Sequence, residues 1–90
     1  MHDTLKQDIT PESLRVLRAL KARATSPTDE SEEELADSVR ALADSGRAHG
    51  WAPEHIMRIV SAHMTRAEIA SDNATRMLLF EWILDRYFPA

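Results

Sequence analysis

From residue 10 onward the apolar positions recur at helical spacings, and no run alternates with the period of two that a strand requires. The spacing predicts an all-α chain built from four helical segments. Thr10-Pro11-Glu12 supplies an N-cap, a proline at the first helical position and a carboxylate in the first turn, with Ile9 and Leu14 placed as a hydrophobic staple. Leu14, Leu17 and Leu20 then form a narrow stripe up to about Arg23. A stripe this thin predicts a loosely attached first helix, partly ordered or docked on a partner. Residues 24–28 read as a linker, because Thr25-Ser26-Pro27-Thr28 breaks the pattern.

The second helix is expected over 29–45. Ser31 and Glu34 fit a capping box, Glu32 to Glu34 sit where the helix dipole favours negative charge, and Leu35, Val39 and Leu42 form the apolar row. Gly46 is positioned to end the helix in the left-handed conformation. After a short turn holding Gly50, Pro53 opens a third helix, with Trp51 and Ile56 as its staple. Ile56, Ile59, Val60, His63 and Met64 follow the pattern of a half-buried helix. Thr65 and Glu68 form another capping box, which predicts a break near 64–65 and a long last helix over 66–87; a continuous helix, or a restart at Ser71 and Asp72, are the alternatives.

That last helix carries more apolar surface than one face can hold. In the run 77–88 (MLLFEWILDRYF) the charged residues are Glu81, Asp85 and Arg86, and the apolar ones point in nearly every direction at about 100° per residue. One face can pack on the rest of the chain and a second needs another partner. Ile69, Asn73, Met77, Phe80, Leu84 and Tyr87 fall on a seam spaced mostly four and three, and Ile83 and Phe88 extend the same surface. These eight residues are the expected dimer interface. Asn73 either sets register within the seam or is simply exposed near the helix start.

Ninety residues make one domain with a modest core, for which self-association is a common remedy. Residues 1–9 read as disordered and 10–90 as a single helical domain: three main helices plus a short N-terminal one. The chain contains no cysteine, which excludes disulfides and thiolate metal sites. Neither an apolar leader region nor a stretch of ~20 apolar residues occurs, so a cytoplasmic protein with no membrane partner is expected. Charge is uneven: residues 1–25 carry a net +2, residues 26–45 a net −6, and the remainder balances, giving −4 in total. That excludes a strongly basic nucleic-acid footprint and favours protein partners or a complementary contact between two copies. Glu30, Glu33, Glu34 and Asp37 are the candidate partner-binding residues. Arg15, Arg18 and Lys21 are the candidate phosphate contacts, in a patch that would double in a dimer.

Catalytic chemistry finds no support. With two glycines there is no phosphate-binding loop, no Gly-x-Ser-x-Gly elbow occurs, and the serines fall at caps and helix surfaces. His49, His55 and His63 are six and eight apart, not the three or four that ligands on one helix need, so no metal or cofactor is expected. His63, on the apolar stripe, is a candidate pH sensor.

Three features are shared with a known family: the segment Leu35-x3-Val39-x2-Leu42-x2-Ser45-Gly46, the apolar helix around Ile56-Met57, and the final helix from Asp72 through Arg76, Glu81 and Leu84 to Arg86-Tyr87. Between Leu35 and Tyr87 the chain thereby resembles the YmgB/AriR-type regulators of biofilm development and acid resistance. It departs from them at Gly50-Trp51-Ala52-Pro53, where that family tends to have an asparagine- and lysine-rich turn. The resemblance implies a short helical bacterial regulator or connector that dimerises, with DNA contact proposed for the family and no catalytic residues. The residues themselves point to a non-enzymatic interaction module. A DNA-associated modulator using the basic first helix, and an acidic inhibitor or accessory subunit of a larger complex, are the alternatives.

Overall fold

A computed structural model describes residues 10–66 and 73–89, and among them the fold is entirely helical. Four helices occur: α1 (Pro11–Thr25), α2 (Asp29–Ala48), α3 (Pro53–Arg66) and α4 (Asn73–Tyr87). The expected disorder of residues 1–9, the staple residue Ile9, the interface residue Ile69 and the would-be cap partner Glu68 lie outside the described residues. Thr10 caps α1 as expected: its hydroxyl accepts from the Ser13 amide at 3.1 Å while the Ser13 hydroxyl accepts from the Thr10 amide at 2.9 Å.

The same device starts α2, which begins at Asp29 as expected, but its cap lies three residues before the expected box. Thr28, not Ser31, is the N-cap, and Ser31 is its reciprocal partner at the third helical position. Both residue pairs have the chemistry of a capping box, and the helix starts at the first of them because Asp29 and Glu30 are stabilised in a first turn. Since α1 runs through Thr25, the connection shrinks to residues 26–28, short enough to fold α1 and α2 into a helical hairpin.

Thr65 does not restart a helix. It lies inside α3, and its hydroxyl donates to the Ser61 carbonyl at 3.1 Å, the back-bonding that a helix-interior threonine makes in place of capping. The break expected near 64–65 is therefore corrected: α3 runs through Arg66 and α4 is described over Asn73–Tyr87, while the alternative restart at Ser71 and Asp72 lies outside the described residues.

The core forms where all four helices converge. From α2 come Leu35, Val39 and Leu42, and from α3 come Ile56, Ile59, Val60, His63 and Met64, every one of them buried as the periodicity predicts. Each fully buried aliphatic side chain contributes roughly 1.5–3 kcal/mol. The loose attachment of α1 is overturned. Ser13, Val16, Ala19 and Leu20 are buried, and α1 packs closely along α2 and also touches α3. Small residues explain the difference, because Ser13 and Ala19 let the backbones approach where the leucine row alone looked too thin. The outermost leucine, Leu14, is 36% exposed. α4 packs on α2 and α3, so α1 and α4 occupy opposite corners of the bundle and scarcely meet.

Gly46 does not terminate α2. The helix continues to Ala48, His49 caps it in an ordinary right-handed conformation, and the left-handed residue is Gly50 at φ 78°. What Gly46 supplies is a close approach. A Cβ on it would lie 2.5 Å from Ile56 Cδ1 and 3.0 Å from the Tyr87 hydroxyl. Replacing a helical glycine by alanine normally gains about 1 kcal/mol, whereas overpacking a filled core costs about 1–3 kcal/mol. Gly46→Ala should therefore lose net stability of about 1 kcal/mol in urea unfolding, with any gain contradicting the close approach. Gly50→Ala has open space but places a side chain in the left-handed region, at a cost of about 1–2 kcal/mol.

Candidate docking face of the last helix

α4 has two apolar faces, and only one belongs to the core. Leu79 and Ile83 are completely buried, and Phe80, Trp82 and Tyr87 flank them, half-buried against the core. On the far side, centred about 140° around the helix, Met77 is 66% exposed, Phe88 68% and Leu84 37%. These three recur at spacings of seven and four and form one outward stripe. The expected interface is thus corrected in part. Ile83 is interior and cannot meet another chain, Phe80 and Tyr87 are mainly committed to the bundle, and Met77, Leu84 and Phe88 remain available. Asn73 is the first described residue of α4.

The end of α4 that carries Phe88 is held by polar contacts to α2 and the turn after it. The Tyr87 hydroxyl donates to the Trp51 carbonyl at 2.7 Å, and Arg47 Nη1 donates to the Arg86 carbonyl at 2.8 Å. Arg86 reaches back to Asp44 at 3.2 Å. The Phe88 amide continues the helical ladder to the Leu84 carbonyl at 2.7 Å. Trp82 packs beneath the Arg40 guanidinium, 5.9 Å from the ring centroid. Sequence reasoning missed this set of contacts because its members lie 36 to 42 residues apart, and spacing along one helix carries no such signal.

The charged candidates divide as well. Arg15 and Glu34 form a two-pronged ion pair at 2.9 and 3.0 Å, which lowers the Glu34 carboxyl from its ordinary range through that hydrogen bond and raises the Arg15 guanidinium. Arg15 is therefore not a free phosphate contact, and Glu34 is not a free partner contact. Asp37 lies 3.8 Å from Arg40, and Glu32 lies 3.5 Å from Arg23. Glu30 and Glu33 stay exposed, and Glu33 lines an open groove with Asp29, Asp37, Arg40 and Trp82. Arg18 and Lys21 stay exposed on α1. A basic first helix beside an acidic second one, joined by a short linker, was the signal from which the Arg15–Glu34 pair could have been anticipated.

The histidines are scattered. His63 is buried in the core at 2% exposure, while His49 stacks on Trp51 at 5.4 Å and His55 meets the same ring edge-on at 4.7 Å. His49 Nδ1 lies 2.7 Å from the Ser45 carbonyl. Among the described residues no group of histidine and carboxylate side chains could hold a metal ion, and no helix is long and apolar enough to cross a membrane. Comparison with family models, curated proteins and solved structures finds no match for the chain.

Burial raises the Tyr87 hydroxyl above its ordinary pKa of 10.0, opposed in part by the charge on Arg47. A raised value in the folded state means that stability is fully present below the unfolded value and is lost as pH rises through the folded one. Tyr87→Phe should cost about 1 kcal/mol at neutral pH by leaving the Trp51 carbonyl unpaired. Its loss of stability above about pH 10 should also be shallower than that of the wild type. Thermal unfolding at neutral and alkaline pH checks both, and parallel curves would contradict the assignment.

Proposed function

We propose that this protein is a non-enzymatic regulatory or connector module that acts by protein–protein contact, using the outward stripe of α4 as its docking face. Its smallest working assembly is a homodimer. The observation that carries this reading is the placement of Met77, Leu84 and Phe88 opposite Leu79 and Ile83 on one helix. A soluble fold has no internal use for a second apolar face, and such faces recur where proteins meet. The hold on Arg86 and Tyr87 adds to the argument, because a face presented by a fixed helix end loses little entropy on binding.

The resemblance to the YmgB/AriR-type regulators supports the same class, with work in bacterial stress or biofilm signalling and a cytoplasmic location as the corresponding proposals. A DNA-associated modulator is less well supported, since the Arg15–Glu34 pair leaves Arg18 and Lys21 as the free cations of the patch. The exposed Glu30 and Glu33 keep an acidic accessory or inhibitory role as the second reading.

Light scattering from micromolar to millimolar protein tests the proposal. The mass of the wild type should rise with concentration above the 10.2 kDa monomer. Met77→Asp combined with Phe88→Asp should remain monomeric with an unchanged unfolding temperature, since neither side chain belongs to the core. A wild type that stays monomeric throughout would overturn the self-association.

A further inference from the structure

We infer that the occupant of the α4 stripe is the outer face of α1 on a second copy of the chain. This rests on the reading that α4 docks through Met77, Leu84 and Phe88. The stripe is bordered on one side by Glu81 and Asp85, which follow it at about 40° and 80° around the helix. Both are exposed and form no ion pair among the described residues. Whatever covers the stripe must bring apolar surface and positive charge together.

α1 presents that combination. Its outward face carries Leu14, 36% exposed, with Leu17 half-buried beside it, and Arg18 and Lys21 lie four and seven residues after Leu14 on the same side. Arg18 and Lys21 likewise form no ion pair among the described residues, whereas Arg15, turned toward α2, is neutralised by Glu34. An α4–α4 contact would instead gather two sets of Glu81 and Asp85, and the cations of α4 lie on other sides of the helix: Arg86 is tied to Asp44, and Arg76 is half-buried. An α1–α1 contact would gather two sets of Arg18 and Lys21. The crossed pairing cancels both repulsions.

Topology fixes the form of the assembly. Because α1 and α4 sit at opposite corners, their outer faces point away from each other, so each α4 meets the α1 of the next copy. The contact is head-to-tail and leaves a free α1 and a free α4 at the ends. The first product is a dimer, and longer chains follow as concentration rises. Each junction has a few apolar side chains on either side, far short of the ~800 Å² per partner of a standard interface, so it is weak and sensitive to salt.

A mixing experiment by light scattering or analytical ultracentrifugation tests this. Met77→Asp/Leu84→Asp disables the α4 face, and Arg18→Glu/Lys21→Glu disables the α1 face. Circular dichroism melts confirm that both remain folded. Each variant alone should associate at least about tenfold more weakly than the wild type. An equimolar mixture should form a one-to-one dimer that grows no further, because one intact α4 meets one intact α1. A mixture that stays monomeric overturns the inference. So does an Arg18→Glu/Lys21→Glu variant that associates like the wild type, although α4 then remains a docking face. A wild type that never associates removes both readings.

Discussion

The outer surface of α4 depends on how that helix is rolled about its own axis, and the roll is set where Tyr87 passes over Gly46. The absence of a side chain on Gly46 lets Ile56 and Tyr87 close on α2, and the Tyr87 hydroxyl then reaches the Trp51 carbonyl at 2.7 Å. Arg47 and Asp44 hold Arg86 from the same stretch of α2. With that end held, Leu79 and Ile83 point into the core, and Met77, Leu84 and Phe88 have nowhere to go but outward.

Electrostatics does a second, separate job. The uneven charge along the sequence joins the first two helices, through Arg15 with Glu34 and Arg23 with Glu32. Both pairs are largely exposed, so they guide how the hairpin closes more than they stabilise it. Val16, Ala19 and Leu20 supply the burial. Once those pairs are made, carboxylates such as Glu30 and Glu33 remain on α2, Glu81 and Asp85 remain on the outer side of α4, and Arg18 and Lys21 remain on the outer side of α1. A chain of net charge −4 thus keeps acidic and basic edges on different outer faces.

Much of the core was legible in the sequence. The α3 row from Ile56 to Met64 and the α2 row of Leu35, Val39 and Leu42 are buried as their periods predict, since on helices of ordinary length a regular row has one face to bury. The leucine spacing of α1 does not reveal its packing: the row that packs is Ser13, Val16, Ala19 and Leu20, where small side chains allow contact that bulk does not advertise. In sequence Gly46 has the look of a helix stop, whereas in the fold it permits a close approach between helices distant in sequence. In α4 the apolar excess was visible, but which residues face inward was not. That choice is made by Gly46, Trp51 and Arg47, none of which belongs to the helix.

The central claim is that α4 displays a second apolar face which other chains cover. A dilution series followed by two-dimensional NMR, reading backbone amides and methyl groups, tests it most directly. The account predicts concentration-dependent shifts or broadening centred on Met77, Leu84 and Phe88, with Leu79 and Ile83 unmoved. Spectra that are identical from micromolar to millimolar protein, or shifts confined to other surfaces, would contradict it.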